Sequence, residues 1–257
     1  MSDLMAGAEP FFFRGGPVGA LLIHGFTSAP KDMSLLGQTL AAEGVTVLGV
    51  RLTHHGTAPA DLARSHWRDW YTAALDGYHL LRGQCPVVFA MGLSMGGDIA
   101  LKLSADYPVA GVVAMSTPSL PYLDRLGWRA RLAGLLGYVK PFLPKALPDP
   151  AAPLRPHPRV AYAAYPTRAI PQFRAMLREA AAVLPRVTAP VLLVHSRGDR
   201  LIPPENMPYL LERLGSADKE MLWLEKSDHV ITEDCEREQV FARVSAFVRA
   251  RAPRVTA

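Results

Sequence analysis

Short apolar runs alternate along the chain with longer segments in which apolar residues recur at helical spacing. The runs are rich in Val, Leu and Ile, which is typical of strands buried on both faces of a parallel sheet. They predict strands at GALLIHG, VTVLGV, PVVFAMG, AGVVAMS, APVLLVHS and EMLWLEK. The segments between them predict helices at about 32–43, 66–82, 95–106, 204–214 and 236–250. This alternation indicates an α/β fold in which helices flank a mostly parallel sheet.

The alternation breaks once, between Pro118 and about Pro185. This stretch contains no convincing strand, and prolines cluster through KPFLPKALPDPAAPLRPHP. Helices are predicted on either side of the proline-rich loop, at about 121–139 and 171–184. We therefore predict an α/β core formed by 1–117 and 186–257, with 118–185 inserted as a small cap. The cap should cover the C-terminal edge of the sheet, where open α/β sheets place their sites.

Composition narrows the class of protein further. Of the 257 residues, 49% are hydrophobic and 20% are charged, which favours a globular chain with a sizeable core. The longest apolar runs are too short to cross a bilayer, so no stable membrane insertion is expected. The amino-terminal MSDLMAGAEPFFF carries acids where a signal peptide needs positive charge, so cytoplasmic residence is predicted.

Charge and cysteine content argue against nucleic acid, metal ions and organic cofactors as partners. The net charge of +5 comes from scattered arginines with no basic run interleaved with aromatics, so nucleic-acid binding is not expected. The only cysteines, Cys85 and Cys235, form no CxxC pattern and are expected to be free thiols. Neither a metal site nor an organic cofactor is predicted.

A candidate nucleophile follows the predicted strand PVVFAMG. Residues Gly92 to Gly96 read GLSMG, a G-x-S-x-G pattern between a strand and a helix. In this context Ser94 lies on a strained turn that projects its hydroxyl, and a side chain at Gly92 or Gly96 would crowd the neighbouring backbone. The helix N-terminus beside Ser94 favours developing negative charge. Ser94 is therefore the expected nucleophile.

Acyl transfer also requires two N–H donors for the developing oxyanion. One is expected to be the backbone N–H of Met95, directly after the nucleophile. The other is expected after an early strand, and the Phe26 N–H in LLIHGFTSAP is placed for it. His24 precedes a glycine in the same loop, and we interpret it as shaping that loop.

A base and its orienting acid are expected at the ends of two later strands. Asp199 follows PVLLVHS in the loop RGDRLIPP, and His229 follows EMLWLEKS. Since parallel strands end at the same edge of a sheet, the two loops should meet near Ser94. The chain order Ser, Asp, His is one that α/β enzymes with this nucleophile turn use.

Other acids and histidines compete for these roles. Asp228 adjoins His229 but should point elsewhere, while Glu233, Asp234 and Glu236 resemble the acidic start of the last helix. Packed or solvated roles are expected for the remaining histidines: His66 and His79 on a helix, His157 in the cap, and His195 near Asp199.

With these residues identified, the chain resembles an α/β-hydrolase of the bacterial carboxylesterase and monoacylglycerol lipase type. The matching stretches are LLIHGFTSAP, GLSMGG, HSRGDRLIPPEN and SDHVITEDCERE, and they span nearly the whole chain outside the cap. The resemblance implies the α/β-hydrolase fold, a Ser94–Asp199–His229 triad, an oxyanion hole from Phe26 and Met95, and a small cap over an acyl pocket. One departure is RLTHHGTAP, where His54, His55 and Gly56 stand in place of the family's usual Gly-His-Gly.

The substrate expected from this pattern is a small-molecule ester with a short to medium acyl chain, monoacylglycerols included. The cap segment PYLDRLGWRARLAGLLGYVKPFL is rich in Leu and aromatics that suit such a pocket. Arg125, Arg129 and Arg131 are interpreted as a solvated face. Thioesterase, lactonase, C–C bond hydrolase and acyltransferase activities use the same triad and stay open, as does a non-catalytic ligand-binding module.

Overall fold

The computed structural model describes residues 3–145 and 159–252, except for the side chains of residues 124, 126 and 128–131. The strands, in chain order, are β1 (Phe11–Phe13), β2 (Val18–Ile23), β3 (Thr46–Val50), β4 (Val87–Leu93), β5 (Gly111–Met115), β6 (Phe142–Pro144), β7 (Ala164–Pro166), β8 (Val191–Ser196) and β9 (Lys219–Leu224). The α-helices are α1 (Ser34–Ala42), α2 (Pro59–Leu62), α3 (Trp67–Arg82), α4 (Met95–Asp106), α5 (Leu120–Arg131), α6 (Ala133–Leu136), α7 (Ile170–Val183), α8 (Asn206–Arg213) and α9 (Arg237–Arg251).

The main sheet has seven strands in the order β1-β3-β2-β4-β5-β8-β9. Every neighbouring pair is parallel except β1 with β3, which pairs Phe12 with Leu48 in antiparallel register. The six predicted strands are all present, and the mostly parallel α/β class is confirmed. β1 was not predicted, because a three-residue aromatic run shows no alternation of apolar and polar positions.

Both faces of the sheet are covered, which explains why its strands read as continuous apolar runs. Along β2, Leu21 and Ile23 face a core that includes α3, α4 and α7, whereas Ala20 and Leu22 face α1 and α9. Leu21, Leu22 and Ile23 are almost completely buried. Each such side chain contributes about 1.5–3 kcal/mol through removal from water.

Helix boundaries agree closely with the sequence pattern outside the inserted segment. Within the inserted segment, the prediction of one continuous helix at 121–139 is wrong. Gly127 has a φ of 62° and kinks α5, and the second half of the prediction is reduced to α6. The expected lack of strands is also wrong, since β6 and β7 form an antiparallel pair. Their prolines and three-residue lengths hide them from a periodicity argument.

The inserted segment leaves the sheet between two adjacent strands. β5 pairs directly with β8, so residues 116–190 contribute no strand to the main sheet among those described. α7 packs against α4 and so ties the end of this segment to the core. The division into a core and a cap at 118–185 stays a prediction. No helix in the described ranges has the length and apolarity needed to span a membrane.

Candidate active site

Ser94 stands at the junction of β4 and α4 in a strained conformation. Its φ of 55° and ψ of −126° lie outside the regions that L-residues ordinarily occupy. The Ser94 N–H donates to the Met115 carbonyl at 2.8 Å, and the Ser94 carbonyl accepts from the Gly97 N–H at 2.8 Å. Strain of this kind persists only where the surrounding structure fixes it, and such residues concentrate at functional sites.

Two glycines allow this tight turn. A Cβ at Gly92 would lie 2.0 Å from the Gly96 carbonyl oxygen, and a Cβ at Gly96 would lie 2.1 Å from the Ile23 carbonyl oxygen. Both clashes are with backbone, so neither can be relieved by rotating a side chain. The turn therefore requires glycine at both positions.

The loop after β2 lies against this turn. The chain runs from β2 to β3 on one side and then returns to β4 on the other, so the ends of β2 and β4 flank the point where strand order reverses. A Cβ placed on Gly25 would be 3.2 Å from Ser94 Cβ. The next residue, Phe26, donates no backbone hydrogen bond to any described residue. Its N–H is therefore available to a ligand.

His24 shapes this loop through both ring nitrogens. Nδ1 lies 2.9 Å from the Gly25 carbonyl, and Nε2 accepts from the Leu52 N–H at 3.1 Å. Only the neutral ring can donate at one nitrogen and accept at the other. Burial lowers the pKa of His24 to about 4, against a weaker opposing effect of the Gly25 carbonyl, so the ring is neutral at pH 7. These bonds assign His24 the structural role expected from the sequence.

The loops after β8 and β9 bring Asp199 and His229 together. His229 Nδ1 lies 2.8 Å from Asp199 Oδ2, and both residues are buried. Asp199 Oδ1 accepts from the backbone N–H groups of Leu201 at 2.9 Å and Ile202 at 2.8 Å. Burial would raise the pKa of Asp199, but the neighbouring His229 and hydrogen bonds from His195, His229 and the Ile202 N–H hold that pKa below its usual range. Asp199 is thus an ionised, fixed partner of the imidazole.

His195 supports the same carboxylate. It lies in β8, with Nε2 3.4 Å from Asp199 Oδ2 and 3.1 Å from the Ile202 carbonyl. The proximity to Asp199 agrees with the expectation from the sequence.

Asp228 is turned away from the imidazole. Its Oδ2 accepts from Arg200 Nη2 at 2.8 Å, and its Oδ1 accepts from the Arg200 N–H at 3.1 Å. Of these two acids, it is Asp199 that contacts the His229 ring in the structure.

The acids after His229 do more than begin a helix. Glu236 directly precedes α9 and accepts backbone N–H bonds from Glu225, Lys226 and Ser227 at 2.7–3.0 Å. Burial would raise the pKa of Glu236, but the Ser227 hydroxyl and these N–H groups lower it to about 2. Asp234 accepts from the Asp228 N–H at 2.9 Å. The two acids therefore hold the histidine loop in place, a role that the helix-start interpretation missed.

Ser94 and His229 line one pocket together with the Phe26 loop. No hydrogen bond joins Ser94 Oγ to the imidazole within the described part of the chain. In enzymes without bound substrate such bonds are often long and tighten in the Michaelis complex.

Aromatic rings form much of the pocket wall. The Phe26 and Phe173 rings are stacked with centroids 4.9 Å apart, and Tyr165 stacks on Phe26 at 6.3 Å. Tyr122 meets Phe173 edge-on at 6.4 Å. Three of these rings come from the inserted segment, and they give the pocket a surface suited to an apolar chain.

Two cations that no sequence motif indicated, Lys145 and Arg159, also line the pocket. Lys145 Nζ donates to Thr27 Oγ1 at 2.6 Å, and Arg159 Nη2 pairs with buried Asp32 at 2.9 Å. Lys145 lies within the proline-rich stretch and Arg159 directly follows it, and no periodic pattern or motif there indicates which way a side chain points. Because lysine and arginine in a loop are ordinarily solvated, composition does not indicate that these two side chains line a pocket.

Among the other described histidines, none lines the pocket that contains Ser94. His66 caps α3, so it precedes the helix on which it was expected, and His79 is exposed on that helix. His55 is completely buried beside the rings of His24, Phe26 and Trp70, and burial lowers its pKa well below the usual value. His157, expected in the cap, lies outside the described residues.

Comparison with known proteins identifies relatives along nearly the whole chain. The profile of the family Hydrolase_4, described as serine aminopeptidase, S33, matches residues 19–236. A thermostable monoacylglycerol lipase of Bacillus sp. (strain H-257) is 34% identical over 249 residues, which cover 95% of each chain. A carboxylesterase of Bacillus subtilis (strain 168) is 28% identical, with 93% of this chain and 96% of the relative covered.

Solved structures agree with these relatives. A structure described with LipS and LipT, two metagenome-derived lipolytic enzymes, superimposes with a TM-score of 0.89 at 34% identity, covering 96% of this chain and 100% of that chain. The monoacylglycerol lipase of Paleococcus ferrophilus, at 22% identity and a TM-score of 0.78, shares the fold over 95% of this chain and 99% of its own. The chain belongs to the Hydrolase_4 family of α/β-hydrolases.

Proposed function

We propose that this α/β-hydrolase cleaves carboxylic esters through an acyl-enzyme formed on Ser94. Ester hydrolysis by a serine hydrolase is supported by the family and by relatives named monoacylglycerol lipase and carboxylesterase. The observation that carries the residue assignment is the convergence of strained Ser94, the His229–Asp199 pair and the Phe26 loop on one pocket.

The roles of the residues follow from their contacts. His229, held by Asp199 through Nδ1, removes the Ser94 hydroxyl proton through Nε2, and Ser94 Oγ attacks the carbonyl carbon. The Phe26 and Met95 N–H groups stabilise the negative carbonyl oxygen. When the intermediate collapses, His229 gives its proton to the departing alcohol. Water then attacks the acyl-enzyme and gives a proton to His229, and His229 passes this proton to Ser94 Oγ as the carboxylic acid leaves.

The proposed substrates are esters with short to medium acyl chains, including monoacylglycerols. The aromatic rings of Phe26, Tyr165 and Phe173 support this choice because they offer an apolar chain a dry surface beside Ser94. The names of the relatives support the same class. We also propose that residues 118–185 act as the cap that supplies this surface.

The test is hydrolysis of nitrophenyl esters of graded chain length and of monoacylglycerols by the wild type and by Ser94→Ala. We expect turnover to be highest for short to medium chains, and Ser94→Ala to lose most activity because the triad acts as a unit. Ser116→Ala is a matched control: Ser116 also follows a strand, has a positive φ of 46°, and its hydroxyl has no hydrogen-bond partner among the described residues. Near-normal hydrolysis by Ser94→Ala would refute the mechanism. Highest turnover on long-chain emulsified lipids would contradict the proposed chain length.

A further inference from the structure

One cation in the pocket wall has no role in the mechanism above. Lys145 directly follows β6 and lines the same pocket as Ser94 and His229. Its ammonium donates to Thr27 Oγ1 at 2.6 Å and lies 5.0 Å from the centre of the Tyr165 ring. Thr27 is the residue after Phe26, so the ammonium lies beside the loop proposed to hold the reacting carbonyl.

The positive charge of Lys145 is not neutralised by a partner in the described residues. Asp32, the acid whose field reaches Lys145, is engaged by Arg159, with Nη2 and Nε 2.9 and 3.2 Å from Oδ2. No carboxylate side chain is among the described residues that line the pocket. The Lys145 corner of the pocket, formed by Lys145, Thr27 and Tyr165, therefore offers a surplus positive charge.

The Lys145 ammonium also has N–H donors without an acceptor among the described residues. An ammonium carries three N–H donors, and Thr27 accepts only one of them. A half-buried cation without a counter-ion is unfavourable, and burial together with the charge of Arg159 lowers the pKa of Lys145 to about 8. At pH 7 most of the population still carries the charge. An anion entering the pocket would supply the missing partner and the missing acceptors.

We propose that the Lys145 corner is a subsite for an anionic oxygen group of the substrate, so that preferred esters carry a free carboxylate a few carbon atoms from the scissile carbonyl. Half-esters of short dicarboxylic acids have this arrangement. The proposal rests on the ester hydrolysis proposed above and specifies its substrate. It differs from a purely structural role, in which Lys145 holds Thr27 and thereby serves every ester equally.

The subsite is tested by a selectivity ratio. The monomethyl esters of succinate, glutarate and adipate are compared with uncharged methyl esters of equal acyl length, and the ratio of kcat/KM within each pair is measured. We expect the ratio to exceed one, and Lys145→Met to lower it about tenfold or more, as expected for loss of a close charge pair. Lys140→Met is the matched control, since Lys140 is exposed and does not line the pocket. The chain length at which the ratio peaks reports the spacing between Ser94 and the subsite.

The pH dependence separates charge from structure. Both esters of a pair use the same triad, so ionisation of the triad cancels in the ratio. In the wild type the ratio should fall between pH 7 and 9 as Lys145 loses its proton, while the substrate carboxylate stays ionised. Lys145→Arg should keep the preference at pH 9, because a guanidinium stays charged.

Three results would overturn the subsite: a wild-type ratio near one, an equal loss of activity toward both members of each pair in Lys145→Met, or no change of the ratio with pH. A measurement of binding tests the subsite without depending on turnover. Calorimetry with Ser94→Ala should show monomethyl glutarate binding more tightly than methyl pentanoate, and Lys145→Met in that background should abolish the difference. Equal binding would refute the subsite even if ester hydrolysis is established. Absence of all ester turnover in the wild type would instead refute the proposed function.

Discussion

Substitution of Gly96 by alanine tests whether the turn around Ser94 depends on the close approach of α4 to β2. The added Cβ would lie 2.1 Å from the Ile23 carbonyl oxygen and 2.7 Å from that of His24. Both atoms belong to the backbone at the end of β2, which leads directly into the Phe26 loop. The helix and the strand must therefore move apart for the variant to fold.

The size of the movement follows from these distances. An ordinary contact to a Cβ begins at 3.4 Å, so the approach to Ile23 is 1.3 Å too short. Overpacking of this kind costs about 1–3 kcal/mol. Because α4 begins directly after Ser94, the movement also displaces the hydroxyl relative to the Phe26 N–H. A misplacement of about 1 Å can lower the rate of a catalysed step about 10²-fold.

The assay combines kcat on nitrophenyl butyrate with the thermal midpoint. For Gly96→Ala we expect kcat to fall about 10²-fold and the midpoint to fall by roughly 3–10 °C. Gly134→Ala serves as control, because among the described residues its Cβ would meet only Pro171 Cγ, at 3.4 Å, and alanine favours helix α6. A Gly96→Ala protein with kcat within twofold of wild type and an unchanged midpoint would refute the reasoning about this turn.

Two further predictions concern charges near the site. Asp199→Asn should lower kcat by about 10³–10⁴-fold, because His229 loses the partner that fixes its tautomer. Asp228→Asn should lower kcat far less. Comparable losses of kcat in the two variants, measured by steady-state kinetics, would argue against Asp199 as the orienting acid. Since the folded-state pKa of His24, about 4, lies below its unfolded value of 6.5, its contribution to stability is present above pH 6.5 and is lost as pH falls toward 4. Between pH 7 and 5, the free energy of unfolding measured with denaturant should fall by about 2 kcal/mol because of this group. His24→Asn should abolish that fall. A pH dependence in His24→Asn equal to that of the wild type would contradict a neutral buried ring.

The parts of the site that could be predicted from sequence lie at the ends of parallel strands. Ser94, Asp199 and His229 each follow an apolar run, and the geometry of a parallel sheet brings such positions to one edge. Asp228 could be set aside because adjacent side chains diverge in an extended loop, which its contact with Arg200 bears out.

The parts that could not be predicted depend on long-range packing inside or against irregular segments. The direction of the Lys145 side chain is set by its contact with Thr27, beside the Phe26 loop, and no periodic pattern encodes that contact. Glu236 reaches back to three N–H groups before His229, although its position suggests only a helix start. Similarly, the kink at Gly127 interrupts an apolar pattern that continues on both sides.

The central claim is that Ser94 forms the acyl-enzyme, and peptide mass spectrometry after reaction with a fluorophosphonate ester probe tests it most directly. We predict one adduct, on the peptide that contains Ser94, with loss of esterase activity in proportion to labelling. Ser94→Ala should give no adduct, while Ser116→Ala should label as the wild type does. Labelling of a different residue, or full esterase activity in a protein fully labelled at Ser94, would contradict the account.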